Sequence, residues 1–160
     1  MADDLTFEVR GLDQIIGALK GKLPQIQVGI LGDSARVAKE GKSAPSNALV
    51  GAVHEFGAPS RGIPQRSFLR MPLADHLYKE IESSPVFTKD DLKNVAQAKT
   101  ITPWLKKIAV LAEGVIQDAF DTGGFGSWPA WKDPNYHNGG GQLLVDTQQL
   151  RNSIIAEVKP

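Results

Sequence analysis

Residues 103–121 carry the longest unbroken periodicity in the chain, and that stretch limits the folds open to it. Trp104, Ile108, Leu111, Val115 and Ala119 recur at steps of four and three, with Leu105, Ala112 and Ile116 widening the stripe. Lys106, Lys107, Glu113 and Asp118 fall off that face. Thr102-Pro103 supplies a capping residue followed by proline at the first helical position, and Gly123-Gly124 follows the expected end near Asp121. A helix with one apolar stripe must cover a second layer, which the rest of the chain has to supply.

Short strands are the candidates for that layer. Leu5, Phe7 and Val9 alternate with polar neighbours, and after a turn at Gly11 the residues Leu12, Ile15, Ile16 and Leu19 fall at helical spacing. Gly21 and Pro24 stop that helix, and Ile26, Val28 and Ile30 alternate again to near Gly32. At the other end, Leu143-Leu144-Val145 precedes Asp146-Thr147, read as the cap of a short helix containing Leu150, and Ile154, Ile155 and Val158 form a terminal strand.

Between these ends, Ser46 or Asn47 caps a helix with Leu49, Val53 and Phe56 on one face, closed by Gly57. A second helix, marked by Phe68, Leu69, Leu73, Leu77 and Ile81, enters after Pro64 and runs to about Ser83, with Pro72 in its first turn or kinking it. Residues 85–100 are polar, with a short helix expected around 90–96. Two long polar or glycine-rich stretches, about 33–46 and 122–142, read as projecting arms, because structureless connections of that length are uncommon and usually functional. The expected fold is α+β: a small, mainly antiparallel sheet from the N-terminal strands and the C-terminal strand, packed against the 103–121 helix. A length of 160 residues predicts one domain.

Bulk properties exclude several classes. The chain holds 18 basic and 18 acidic residues and no cysteine, so disulfides, thiolate nucleophiles and zinc–thiolate sites are ruled out. A dedicated nucleic-acid binder carries a clear basic excess, which is missing here. The opening Met1-Ala2-Asp3-Asp4 is acidic, so no secretory leader is expected, and no apolar run reaches the roughly 20 residues a bilayer span requires.

Motifs with chemical potential fail on spacing. His54-Glu55 resembles half of a helical zinc-protease motif, but Ala58 stands where the second histidine belongs, and His76 and His137 are isolated. The pair is expected to point outward or into a subunit contact. Arg36 replaces the first glycine of a phosphate loop in the stretch ending Gly41-Lys42-Ser43, and Gly139-Gly140-Gly141 lacks the context of a dinucleotide site. Asp90-Asp91 lies in a polar, solvated stretch, and nothing satisfies the requirements of a nucleophile elbow. No enzyme activity, metal or cofactor is expected.

Charge and aromatic content suggest contacts instead. Arg36, Lys39, Lys42, Arg61, Arg66 and Arg70 outnumber Glu40 and Glu55 over 36–70, giving either solvated loop charge or an electropositive edge for an acidic partner or passing DNA. Trp128, Trp131 and Tyr136 share one loop with little basic company beyond Lys132, which favours pinning the loop onto its own core or a neighbour over base stacking.

Two segments carry a family resemblance. Val53-His54-Glu55-Phe56-Gly57 with Ile63-Pro64-Gln65-Arg66-Ser67-Phe68-Leu69-Arg70, and Leu143-Leu144-Val145-Asp146-Thr147-Gln148-Gln149-Leu150-Arg151-Asn152-Ser153-Ile154, resemble stretches of tailed-phage virion morphogenesis and tail-completion proteins. The likeness covers about positions 45–158, in the expected order. Ser67 stands where that group favours proline and Gln148 where it favours glycine. The resemblance implies a virion protein at the head–tail neck that passes through the host cytoplasm during assembly. Its partners would be copies of itself in a ring, expected as a hexamer, together with connector, stopper or tail-tube neighbours around a lumen through which DNA passes. A tail terminator or minor tail subunit is the nearest alternative, and a small hydrolase or toxin-like domain the remote one. Arg66, Arg70 and Arg151, with Trp128 and Trp131, are the expected contact residues alongside the basic loop.

Overall fold

The computed structural model describes residues 24–31, 45–88, 90, 91, 93, 101–130, 143, 144 and 148–160. Strand β1 (Gln25–Ile30) pairs antiparallel with strand β2 (Ile154–Lys159) from the opposite end of the chain. The register sets Gln25 against Lys159 and Ile30 against Ile154. In β1 the alternation expected of a half-buried strand is realised, since Gln25 and Gln27 are exposed while Ile26, Val28 and Ile30 turn inward. The expected strand at residues 5–9 and the helix after it lie outside the described residues.

Four helices accompany this pair among the described residues: α1 (Asn47–Phe56), α2 (Arg70–Ser83), α3 (Thr102–Thr122) and α4 (Gln149–Asn152). The long helix α3 lies against both strands and against α2, which is the α+β arrangement anticipated from its stripe. Its buried positions are Ala109, Ala112, Val115, Ile116, Ala119 and Phe120. The tight seam therefore occupies the second half of the expected stripe, where alanines allow close approach. Trp104, at the other end, is half-buried and packs 5.5 Å from the Phe87 ring. Thr102 is not the cap it was read to be: it is already helical, and Ile101 takes the cap position without a side-chain bond.

Among the described residues one apolar cluster joins these elements. Phe68, Ile116, Ala119, Phe120, Trp128, Leu144, Leu150 and Ile154 form its centre, with Val28, Ile30, Val50, Leu69, Leu73 and Leu143 around them. Phe120 sits between Phe68 at 5.3 Å and Trp128 at 5.7 Å, the latter edge-on. Of the arm expected at 122–142, residues 122–130 are described: Thr122 ends α3, and Trp128 packs into this core. The remaining residues of both expected arms, 33–44 and 131–142, lie outside the described set.

Candidate functional site

The first motif segment folds into a knot around Glu55. Helix α1 starts at Ser46, whose hydroxyl accepts the Leu49 N–H at 3.2 Å, and it buries Asn47, Gly51 and Glu55 along one face. Gly51 belongs there because a Cβ would stand 2.6 Å from Ile30 Cδ1 and 3.4 Å from both Leu150 and Phe68. Glycine lets α1 approach the core closely enough to deliver the next inward residue, one turn on.

That residue is a carboxylate, and it meets the start of α2. Glu55 Oε1 accepts from Ser67 Oγ at 2.6 Å and from the Arg70 N–H at 3.2 Å, while Oε2 accepts from the N–H groups of Phe68 at 2.9 Å and Leu69 at 3.0 Å. Helix α2 has no side-chain cap of its own. Glu55 supplies one from another helix, placing a negative charge where backbone donors and the helix dipole favour it. The Ser67 hydroxyl completes the arrangement by accepting the Met71 N–H at 3.0 Å.

The chain between Glu55 and Ser67 is shaped to permit this. Gly57 ends α1 at φ 77°, and a Cβ there would lie 2.9 Å from the Gln65 nitrogen. Ala58 and Ile63 then bridge each other across a 3-10 turn at Pro59–Arg61. The returning strand is tied to the end of α1 through Arg66 N–H to His54 O at 2.8 Å and Gln65 Nε2 to Glu55 O at 3.0 Å.

Arg66 and Trp128 close the knot against the segment after α3. Arg66, only 1% exposed, donates from Nε to Pro129 O at 3.0 Å and from Nη2 to Ala130 O at 3.2 Å, and burial pulls its pKa below the usual arginine value. The Trp128 indole N–H donates to Ser67 O at 2.9 Å. Arg66 was expected at a subunit contact, and Trp128 on its own core or on a neighbour; both are buried and find polar partners within the chain.

The other expected contact residues divide. Arg151 forms a two-pronged pair with Asp121, at 2.6 and 2.8 Å, and donates to Gln117, so it fastens α4 to α3. Glu55, read as pointing outward or into a contact, is 5% exposed and faces the core. Arg61 and Arg70 do reach the surface, and the Arg70 guanidinium lies 5.7 Å over the Phe56 ring. Arg36, Lys39, Lys42 and Trp131 lie outside the described residues.

With the inner face of α1 given to Asn47, Gly51 and Glu55, its apolar face is turned out. Leu49 is 57% and Phe56 65% exposed. Beside them runs an open groove of about 450 Å³ walled by β1, α1 and the start of α2 through Val28, Ile30, Ala52, Leu69 and Leu73. This helix buries polar residues and leaves its large apolar ones uncovered, the reverse of the usual arrangement. Sequence periodicity marks Leu49, Val53 and Phe56 as one face but does not say which way it points. Gly51 was the available signal, since a glycine inside a helix usually marks close packing on its own side.

Both Glu55 oxygens are occupied by donors of the α2 start. Among the described residues no group of three His, Asp or Glu side chains could hold a metal ion, and no helix is long and apolar enough to cross a membrane. Comparison of the chain with protein-family models, with curated proteins and with solved structures gives no match.

Proposed function

We propose that this protein is a structural subunit of a tailed-phage virion that assembles into a ring at the head–tail connection, acting by assembly and not by chemistry. The observation that carries the reading is the outward apolar face of α1, Leu49 and Phe56, with the exposed Arg70 guanidinium over the Phe56 ring. Interfaces combine such an apolar centre with arginine at the edge. The two motif segments support the phage assignment through their order in the chain and through their common destination. Residues 53–70 make the Glu55 knot, and Leu150 of the second segment packs beneath Gly51.

Purified protein examined by negative-stain electron microscopy is expected to show closed rings. Deletion of its gene from a phage that encodes it is expected to leave filled heads and finished tails unjoined. Tails of uncontrolled length after deletion would move the assignment to a tail terminator. A protein that stays monomeric while virions form normally without it would refute the reading.

A further inference from the structure

Resting on the ring reading, we propose that the groove and outer stripe of α1 receive the outer face of α2 from a second copy of the same chain, in a head-to-tail contact. Helix α2 has two faces. Leu69, Arg70 and Leu73 line the groove. Met71, Asp75, Tyr78 and Glu82 recur at i, i+4, i+7 and i+11, which places them together on a side roughly opposite Leu73. All four are exposed, Tyr78 to 68%, so the domain presents a large aromatic with no cover on that side.

The two surfaces complement each other. From Asn47 to Arg61 the single carboxylate is Glu55, which is buried and lies 3.8 Å from Arg70 Nε, while Arg70 also covers the Phe56 ring and the exposed Arg61 stands on the turn after α1. On that outer side α2 carries two carboxylates, Asp75 and Glu82, with Lys79 at its margin and Glu80 on the opposite side. An apolar stripe with arginine over Phe56 is thus matched by Met71 and Tyr78 flanked by Asp75 and Glu82, on a side of α2 turned away from the groove. A contact between unlike surfaces repeats from subunit to subunit, as a ring requires, whereas self-complementary patches stop at a dimer.

The absence of native cysteine makes a direct test simple. Phe56→Cys and Tyr78→Cys, each at an exposed site, are mixed and oxidised, and disulfide-linked dimers are resolved without reductant. The proposal expects mixed dimers in clear excess over dimers of either variant alone. Arg61→Glu is expected to weaken association roughly five- to tenfold at low salt, with recovery when combined with Asp75→Lys. Equal yields of all three dimers, or an excess of the Phe56→Cys pair, would overturn the contact. If wild-type protein nevertheless sediments as a multimer, the ring reading survives and only this interface is lost. If wild-type protein remains a monomer and the thiol introduced at position 56 resists alkylation, the stripe is covered by its own chain and both readings fall.

Discussion

Ser67 Oγ lies 2.6 Å from Glu55 Oε1 and at the same time accepts the Met71 N–H, so the serine relays the carboxylate's grip one residue further into α2. Every early donor of that helix from Phe68 to Met71 is met by one of these two side chains. Glu55→Ala should therefore cost about 3 kcal/mol, because it strands several buried donors at once. Glu55→Gln should cost less, since one oxygen still accepts, but not nothing, because its amide N–H groups face donors. Urea denaturation followed by circular dichroism measures both. A loss below that of an ordinary surface substitution for Glu55→Ala would show that the cap is dispensable.

Arginines that look equivalent in the sequence separate sharply in the fold. Arg66→Met removes the donors that satisfy Pro129 and Ala130 and is expected to destabilise the domain by about 2–4 kcal/mol. Arg61→Glu sits on an exposed turn and should leave the melting temperature nearly unchanged while altering assembly. Thermal melts of the two variants, run beside sedimentation velocity, separate folding from association.

Gln148 occupies the cap of α4 at φ 57°, ψ 0°, a left-handed conformation that a side chain resists. Gln148→Gly should stabilise the protein by about 0.5–1 kcal/mol, the strain relieved exceeding the added freedom of the unfolded chain. No gain in chemical denaturation would mean that contacts of the glutamine side chain offset the strain.

Asp91 links the stretch after α2 to α3. It accepts from Lys107 Nζ at 2.6 Å, and Thr88 donates to it from both backbone and hydroxyl, which together hold its pKa at about 2, below the usual 3.8. A depressed folded-state pKa gives stability that is fully present above the unfolded value and disappears as pH falls toward the folded one. The stability gap between wild type and Asp91→Asn should thus be widest at neutral pH and close as pH falls from about 3.8 to about 2. A gap independent of pH would show that the charge on Asp91 contributes nothing.

Much of the scaffold was legible because local chemistry dictates it. Alternation of Ile26, Val28 and Ile30 made β1, Ser46 and Gly57 bounded α1, and Pro72 fell in the first turn of α2 as its lack of an N–H requires. What escaped reading depends on partners far apart in the chain. Glu55 looks like a solvated charge until residues 67–70 fold back onto it. Arg66 and Trp128 look like contact residues until each is found serving the other's segment across 61 to 64 positions. Hydrophobic spacing located the Leu49–Phe56 face correctly, yet spacing carries no information about whether a stripe looks toward its own core or toward a neighbour.

The carboxylate clamp between α1 and α2 also has a mechanical side. A helix carrying an outer contact surface would ordinarily be free to peel away under load, independently of what lies behind it. Here, lifting α1 would withdraw Glu55 from the head of α2 and drag Gly51 off the central aromatic packing, so tension applied at Phe56 must be borne by the whole domain. A pull on either helix is thereby shared with the other.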